Sequence, residues 1–248
     1  MISKKVLSDI ISKYSLGGSV EKVKWDIKTK GGISINFIND SKNLVGSVTY
    51  NPDFGLKEGK YGIFNTSQLI KCLNILDGDI LVDTTKSDGL ASKLNIADTN
   101  YDIKFNLADP AVIPKTPEVN TPGEPVAYFK VSDEFITRFV KSKDALSELD
   151  TFTVETNDGF TGKELTFTVG TDITNTIQFS VEEATIQENF EPIPFDSNLF
   201  KEILKANRDY YTGKIVIYKA GLIGCTFCMD KNKDLYTTYH LVRRQKNN

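Results

Sequence analysis

Short alternating runs of apolar and polar residues fill most of the chain, and four segments break that alternation: Lys4–Tyr14, Ser67–Leu76, Asp133–Lys143 and Asn198–Arg208. Each carries an adjacent apolar pair followed by more apolar residues one turn later. The sets are Val6-Leu7 with Ile10-Ile11, Leu69-Ile70 with Leu73, Phe135-Ile136 with Phe139-Val140, and Leu199-Phe200 with Ile203-Leu204. A spacing of i, i+1, i+4, i+5 draws one apolar stripe along an α-helix. Ser3, Thr66 or Ser67, Ser132 and Ser197 are the expected N-caps, because a short side-chain oxygen can accept from the unpaired N–H groups of a first turn.

The four sets begin at residues 6, 69, 135 and 199, with steps of 63, 66 and 64. A near-constant step marks a repeated structural unit. Strands are predicted at Val23–Lys28, Ile33–Ile38, Leu44–Tyr50, Ile80–Thr85, Ser92–Ile96, Tyr101–Phe105, Thr151–Thr156, Glu164–Val169, Thr176–Val181, Lys214–Tyr218, Ile223–Met229 and Leu235–Val242. Turn residues such as Asp88-Gly89 and Asn157-Asp158-Gly159 punctuate them. Each repeat therefore reads as one helix covering several antiparallel strands.

Five of the eight prolines, Pro110, Pro114, Pro117, Pro122 and Pro125, fall between Asp109 and Pro125. Proline fixes φ and removes a donor, so this stretch is expected to be an extended connector and not a central strand. It parts the repeats two and two. The expected organisation is a domain over 1–108, a connector over 109–125 and a second, similar domain over 126–248, all of α+β class.

The net charge of −3 and pI near 5.4 argue, taken whole, against a nucleic-acid partner. Distribution reverses that argument. Counted with their flanking residues, over 3–14, 66–76, 132–144 and 197–208, the four helical segments hold ten basic and five acidic residues, and the rest of the chain holds twenty and twenty-eight. Opposite the apolar stripes lie Lys5, Ser8 and Ser12 in the first helix, Gln68 and Lys71 in the second, Arg138 and Lys141 in the third, and Lys201, Lys205 and Arg208 in the fourth. Any solvated helix face carries lysines, but repeated units present equivalent faces on one side, which favours a common surface for phosphate. The seven cations Lys5, Lys71, Arg138, Lys141, Lys201, Lys205 and Arg208 are thus the candidate phosphate partners.

Other chemistry is thinly represented. The single histidine, His240, would force any Ser-His-Asp or Cys-His site onto the last strand. Cys225 and Cys228 have CxxC spacing and, with Cys72 and His240, compose the one Cys₃His zinc set available. A strand sends positions three apart to opposite faces, which favours buried thiols and no metal. Asp230-Lys-Asn-Lys-Asp234 opens like a calcium loop but has Leu235 where glycine belongs and Leu241 where glutamate belongs, so a turn is expected. Asp77 and Asp79 sit in a turn-like Asp-Gly context, and Tyr210-Tyr211 reads as a strand edge or core before it reads as a base-stacking pair. No GxxxxGK[ST] occurs. No segment nears the ~18 apolar residues of a membrane span, so no membrane partner is expected. Three cysteines without a signal peptide suggest a reducing, intracellular setting.

The second helix from Phe64-Asn65-Thr66-Ser67-Gln68-Leu69-Ile70-Lys71-Cys72-Leu73, through Ile96-Ala97-Asp98 to Ala108-Asp109-Pro110, then the connector and the helix over 131–146, resemble the DNA polymerase sliding clamps of T-even-type tailed phages and, more distantly, proliferating cell nuclear antigen. The likeness spans roughly Tyr61 to Val242 and rests on the order of elements, not on one motif. It implies a non-enzymatic ring, a head-to-tail homotrimer with twelve helices around duplex DNA bound without sequence preference. It implies a DNA polymerase tethered as partner, an ATP-driven clamp loader, a role in late transcription, no cofactor, and residence in the cytoplasm of an infected host cell. For the subunit interface it implies pairing of Tyr101, Ile103 and Phe105 with Ile177, Phe179 and Val181 of the next chain. For the partner pocket it implies Ile38, Leu44, Val112, Ile113, Leu241 and Val242. The long connector and the basic tail Arg243-Arg244-Gln245-Lys246 depart from the usual pattern. A reading of another class, a structural or interaction protein such as a virion or assembly component, would use the same strands for assembly with no DNA in its centre.

Overall fold

The computed structural model describes residues 2–87, 89–118, 123–159, 162–171 and 173–245; Asp88, Pro122 and Lys246, named above, lie outside them. The chain divides into two compact units, Met1–Pro117 with Lys231–Thr237, and Glu118–Asp230 with Thr238–Asn248.

The first unit holds β1 (Ile2–Ser3), α1 (Lys4–Ser15), β2 (Val23–Ile27), β3 (Ile33–Ile38), β4 (Leu44–Tyr50), β5 (Gly59–Ile63), α2 (Thr66–Asn74), β6 (Asp79–Ser87), β7 (Leu90–Ala97) and β8 (Asp102–Asn106). The second holds β9 (Pro125–Lys130), α3 (Asp133–Ala145), β10 (Thr151–Gly159), β11 (Gly162–Val169), β12 (Ile177–Val181), β13 (Ala184–Ile186), β14 (Ile193–Asp196), α4 (Ser197–Ala206), β15 (Thr212–Tyr218), β16 (Leu222–Cys228) and most of β17 (Leu235–Val242). No helix among the described residues is long and apolar enough to cross a membrane.

The repeat is one strand longer than its sequence pattern predicts. Each helix is preceded by a short leading strand and followed by three strands, with a fourth, the three-residue β13, added after α3 and paired to β9, and the leading strand pairs outside its own repeat. In the first unit β1 joins β6-β7-β8, and β5 joins β2-β3-β4. In the second, β9 joins β15-β16-β17, and β14 joins β10-β11-β12. Two half-units thus complete each other's sheets. One helix over several antiparallel strands holds for each repeat, and the exchange of leading strands is added to it, because a lone leading strand cannot satisfy its backbone groups locally. Pro125, expected as connector, is the first residue of β9, a position where a strand tolerates the missing donor. Pro194 sits in β14, an edge strand paired only to β10.

The predicted stripes pack the helices onto the sheets. Leu7, Ile10, Ile11, Leu69 and Leu73 are buried in the first unit, and Phe135, Ile136, Phe139, Leu199, Phe200, Ile203 and Leu204 in the second. Each such side chain contributes roughly 1.5–3 kcal/mol by leaving water. Capping follows the backbone more closely than the sequence suggests. Ser132 caps α3 through Phe135 N at 3.1 Å. Asn65, not Thr66 or Ser67, caps α2 through Gln68 N at 2.8 Å. Asp196, not Ser197, caps α4 through Asn198 N and Leu199 N. Ser197 is already helical, so its hydroxyl turns instead to Leu149 O at 3.0 Å. Ser3 occupies the cap of α1 without a side-chain bond.

Both units close in the same place. Just past the end of β8, Ala108 N donates to Gly62 O of β5 at 2.9 Å. Just past the end of β17, Arg244 N donates to Pro194 O of β14 at 2.8 Å.

Candidate nucleic-acid interface

Within each unit the two helices lie side by side. Lys4 of α1 donates its ammonium to Leu76 O, an unpaired carbonyl just past the end of α2, where a cation also meets the negative end of the helix dipole. Glu21 sits at the opposite end of α2, its carboxylate accepting from Ser67 N at 2.9 Å. These contacts fix which side of the helix pair faces solvent.

The candidate cations fall into two groups on that side. Lys5, Lys71 and Lys141 are exposed, as is Arg208, and the side chains of these four make no ion pair or hydrogen bond among the described residues. The other three are engaged. Arg138 is half-buried and bridges Glu134, one turn back, and Glu182 at 3.4 Å. Lys205 is 3.4 Å from Glu202. Lys201, only 22% exposed, is held by Asp144 across the groove between α3 and α4. The hydrogen bond from Lys201 holds the Asp144 carboxyl below the usual carboxylate range, with Lys205 and Lys143 adding to the pull. Arg208 lies past the end of α4, in the turn stopped by Asn207, whose amide reaches Ile203 O at 2.8 Å and Tyr239 Oη at 2.9 Å. The sequence shows Asp144 one turn from Lys141 on the polar face, but not its partner 57 positions on.

The predicted interface strands are both sheet edges. β8 pairs only with β7, and β12 only with β11. A groove of about 470 Å³ runs between α2 and β8, lined by Phe64, Gln68, Cys72, Ile103 and Phe105 among others. A groove of about 250 Å³ runs between α3 and β12, lined by Phe135, Arg138, Phe179, Val181, Glu182 and Glu183 among others. Ile177, Phe179 and Val181 are half-buried, as is Ile103, and Phe105 is core. Tyr101 departs from the expected strand. Asp98 accepts from both Asn100 N and Tyr101 N at 2.7 Å, so residues 98–101 form a turn and β8 begins at Asp102. The helix side of the grooves, Gln68 and Cys72 of α2 and Glu134 and Arg138 of α3, carries no alternating signal, and nothing in the sequence joins these residues to the strand edges.

The candidate pocket residues divide by burial. In the first unit Leu44 and Ile113 are core, Ile38 is half-buried and Val112 is 62% exposed. Val112 ends a short 3₁₀ turn that Asp109 caps through Ala111 N at 2.8 Å. In the second unit Leu241 is core and Val242 is 37% exposed.

The remaining motifs have structural roles. Cys225 and Cys228 lie in β16; burial pushes the Cys225 thiol up, and Cys228 Sγ donates to Asp230 O at 3.1 Å. No group of three or more His, Cys, Asp or Glu among the described residues is placed to hold a metal ion. Desolvation in β17 pushes His240 below its ordinary value. Tyr210 packs on Phe227 and donates to Val131 O at 3.2 Å.

Helix pairs laid on sheets that exchange their leading strands, the whole repeated twice, make the fold of a DNA sliding clamp. Over 98% of its length the chain superposes on proliferating cellular nuclear antigen from Entamoeba histolytica, with a TM-score of 0.71, 17% sequence identity and 96% of that chain covered. Over 100% of its length it superposes on A. fulgidus PCNA bound to the C-terminal region of FEN-1, with a TM-score of 0.73, 16% identity and 98% of that chain covered. Similarity at this identity is one of fold. No family model and no curated protein sequence matches the chain.

Proposed function

We propose that the chain is a sliding-clamp subunit that closes with two further copies into a ring around duplex DNA and serves as a scaffold, not an enzyme. One observation carries the proposal: in a chain of net charge −3, four cations with no partner among the described residues, Lys5, Lys71, Lys141 and Arg208, stand on solvent-facing helix surfaces or at a helix end, two in each unit. Cations placed this way meet phosphates without reading bases. Arg138, Lys201 and Lys205 complete the lining in this reading.

The two open edges supply the ring contact. β8 of one copy would pair with β12 of the next, each completing the other's sheet; an edge left unpaired invites such association, and a head-to-tail contact closes a ring when the rotation fits. Ile103→Lys with Ile177→Lys is expected to yield a folded monomer.

The A. fulgidus PCNA holds the C-terminal region of another protein. By analogy, a terminal segment of the tethered DNA polymerase would take the candidate pocket residues Ile38, Leu44, Val112, Ile113, Leu241 and Val242 as its docking partners. Loading would fall to a separate ATPase. A T-even-type phage origin, work in the infected-cell cytoplasm and assistance to late transcription are proposed on the sequence resemblance alone.

The test is topological. Protein loaded on nicked circular DNA stays on closed circles and runs off after linearisation. Equal retention on both, or a native mass far from three times 27.7 kDa, rejects the clamp and returns the reading to an assembly protein.

A further inference from the structure

We propose that Asp144 is an electrostatic brake on the DNA-facing surface: a positioning residue that holds Lys201 out of reach of phosphate and so keeps the grip of the second unit's helices weak. This rests on the clamp reading and refines it.

Asp144 lies in the last turn of α3 and Lys201 in the first half of α4, and their ion pair spans the groove between the two helices. The pair is asymmetric in exposure. The lysine side chain is 22% exposed and the carboxylate 56%. The solvent-facing member is therefore the anion, set among Lys201, Lys205 and Lys143. A phosphate approaching this face meets a carboxylate first, and Lys201 reaches it only by abandoning that partner. In the first unit Lys71 holds the place of Lys201, two residues after the start of the apolar pair, and it stands exposed with no ion-pair partner among the described residues.

The physical consequence concerns movement along DNA. Each phosphate neutralised steepens the fall of log K with log salt by about 0.9, so one added contact changes affinity by about 3.5-fold between roughly 50 and 200 mM salt. Contacts held back by internal pairs lower affinity for any one position on the duplex, which suits a ring retained by topology and required to slide.

The test is equilibrium binding of the full-length protein to a short random-sequence duplex, read by fluorescence anisotropy across a salt series. Asp144→Asn is expected to bind about threefold tighter at the low-salt end and to steepen the salt slope by about one contact. Asp144→Asn with Lys201→Gln should return to wild-type binding. Asp158→Asn, on the exposed end of β10, makes the same change in net charge away from the helices and should leave binding unmoved. An Asp144→Asn protein that binds as wild type, or an Asp158→Asn protein that gains as much, overturns the brake while leaving the clamp reading in place. A wild-type protein with no salt-sensitive duplex binding, together with equal retention on closed and linear DNA, overturns the clamp reading and the brake with it. Lys141→Gln serves as the positive control, since an unpaired lysine should cost about threefold directly.

Discussion

The two units follow one plan of strand exchange and fill it with different chemistry. Around α1 and α2 the core is aliphatic, with Trp25 and Phe54 edge to face at 5.6 Å as its main ring pair. Around α3 and α4 it is a continuous aromatic cluster. Phe200 stacks on Phe152 at 4.9 Å and meets Phe139 edge-on at 4.7 Å, while Phe135 reaches Phe129, Phe167 and Phe179. The closures differ as well. In the first unit two backbones meet at Gly62 and Ala108, so closely that a Cβ on Gly62 would stand 2.4 Å from Ala108 O. In the second, the matching contact at Pro194 is reinforced by the Arg244 guanidinium, which clasps Asp150 with Nη2–Oδ2 at 2.7 Å and reaches Thr151 Oγ1 at 2.6 Å. The plan is set by where apolar positions fall and which edges meet. The identity of the side chains is free to drift as long as volume and pairing are kept.

The largest effect is expected in the aromatic core. Phe200→Ala should destabilise by about 3–5 kcal/mol, because the hole it leaves is lined by rings that cannot collapse into it. Leu69→Ala in the aliphatic core should cost less, toward the lower part of about 2–5 kcal/mol, since branched aliphatic neighbours relax more readily. Chemical denaturation midpoints decide the order. Equal costs would mean that the two cores are mechanically alike despite their composition.

Gly62→Ala comes next. The added methyl must displace a backbone carbonyl and not a flexible side chain, so a loss of about 1–3 kcal/mol is expected, with the contact between β5 and residue 108 opened first. Amide exchange at Ala108 should accelerate more than at the strand centres. Unchanged protection there would show that the first unit is closed by something other than this bridge.

The helix faces give the third test. Replacing Lys71, Lys141 and Lys205 together by Gln should lower duplex binding and loading several-fold and reduce the salt slope by about 2.7, while thermal stability barely moves because these side chains are solvated. Unfolding of the triple variant, or undiminished activity at raised salt, would reduce the cationic helix faces to ordinary solvated surface.

The smallest effect is expected at Arg244. The pair with Asp150 is partly exposed, so Arg244→Ala should cost under about 1 kcal/mol. Its pH dependence has a definite sign. Arg244 holds the Asp150 carboxyl below its ordinary value of roughly 4. A carboxyl depressed in the folded state contributes stability above its unfolded pKa, and that contribution is lost as pH falls through the folded one. The gap between wild type and variant should be constant near neutrality and close in the acid range below about pH 4. A gap that persists there would assign the loss to packing of the arginine stem.

The sequence by itself determined the four helices, the repeat, the three strands after each helix and the bias of positive charge toward the helices. All of these are written in local periodicity: an apolar stripe buries the same way whatever it packs on, and alternation tells a half-buried strand which side is inside. The tertiary structure alone decided the leading strands. β5 and β9 bury consecutive residues, Tyr61 to Ile63 and Val126 to Ala127, and so show no alternation. β1 has two residues, β14 contains a proline, and every one of the four finds its partner in the other half of its unit. The same holds for the candidate site. Lys71 and Lys141 stay available because nothing folds against them, and Lys201 does not, because Asp144 arrives from another helix. Which charges cancel depends on distances across the fold, and a linear pattern of charge carries no such distances.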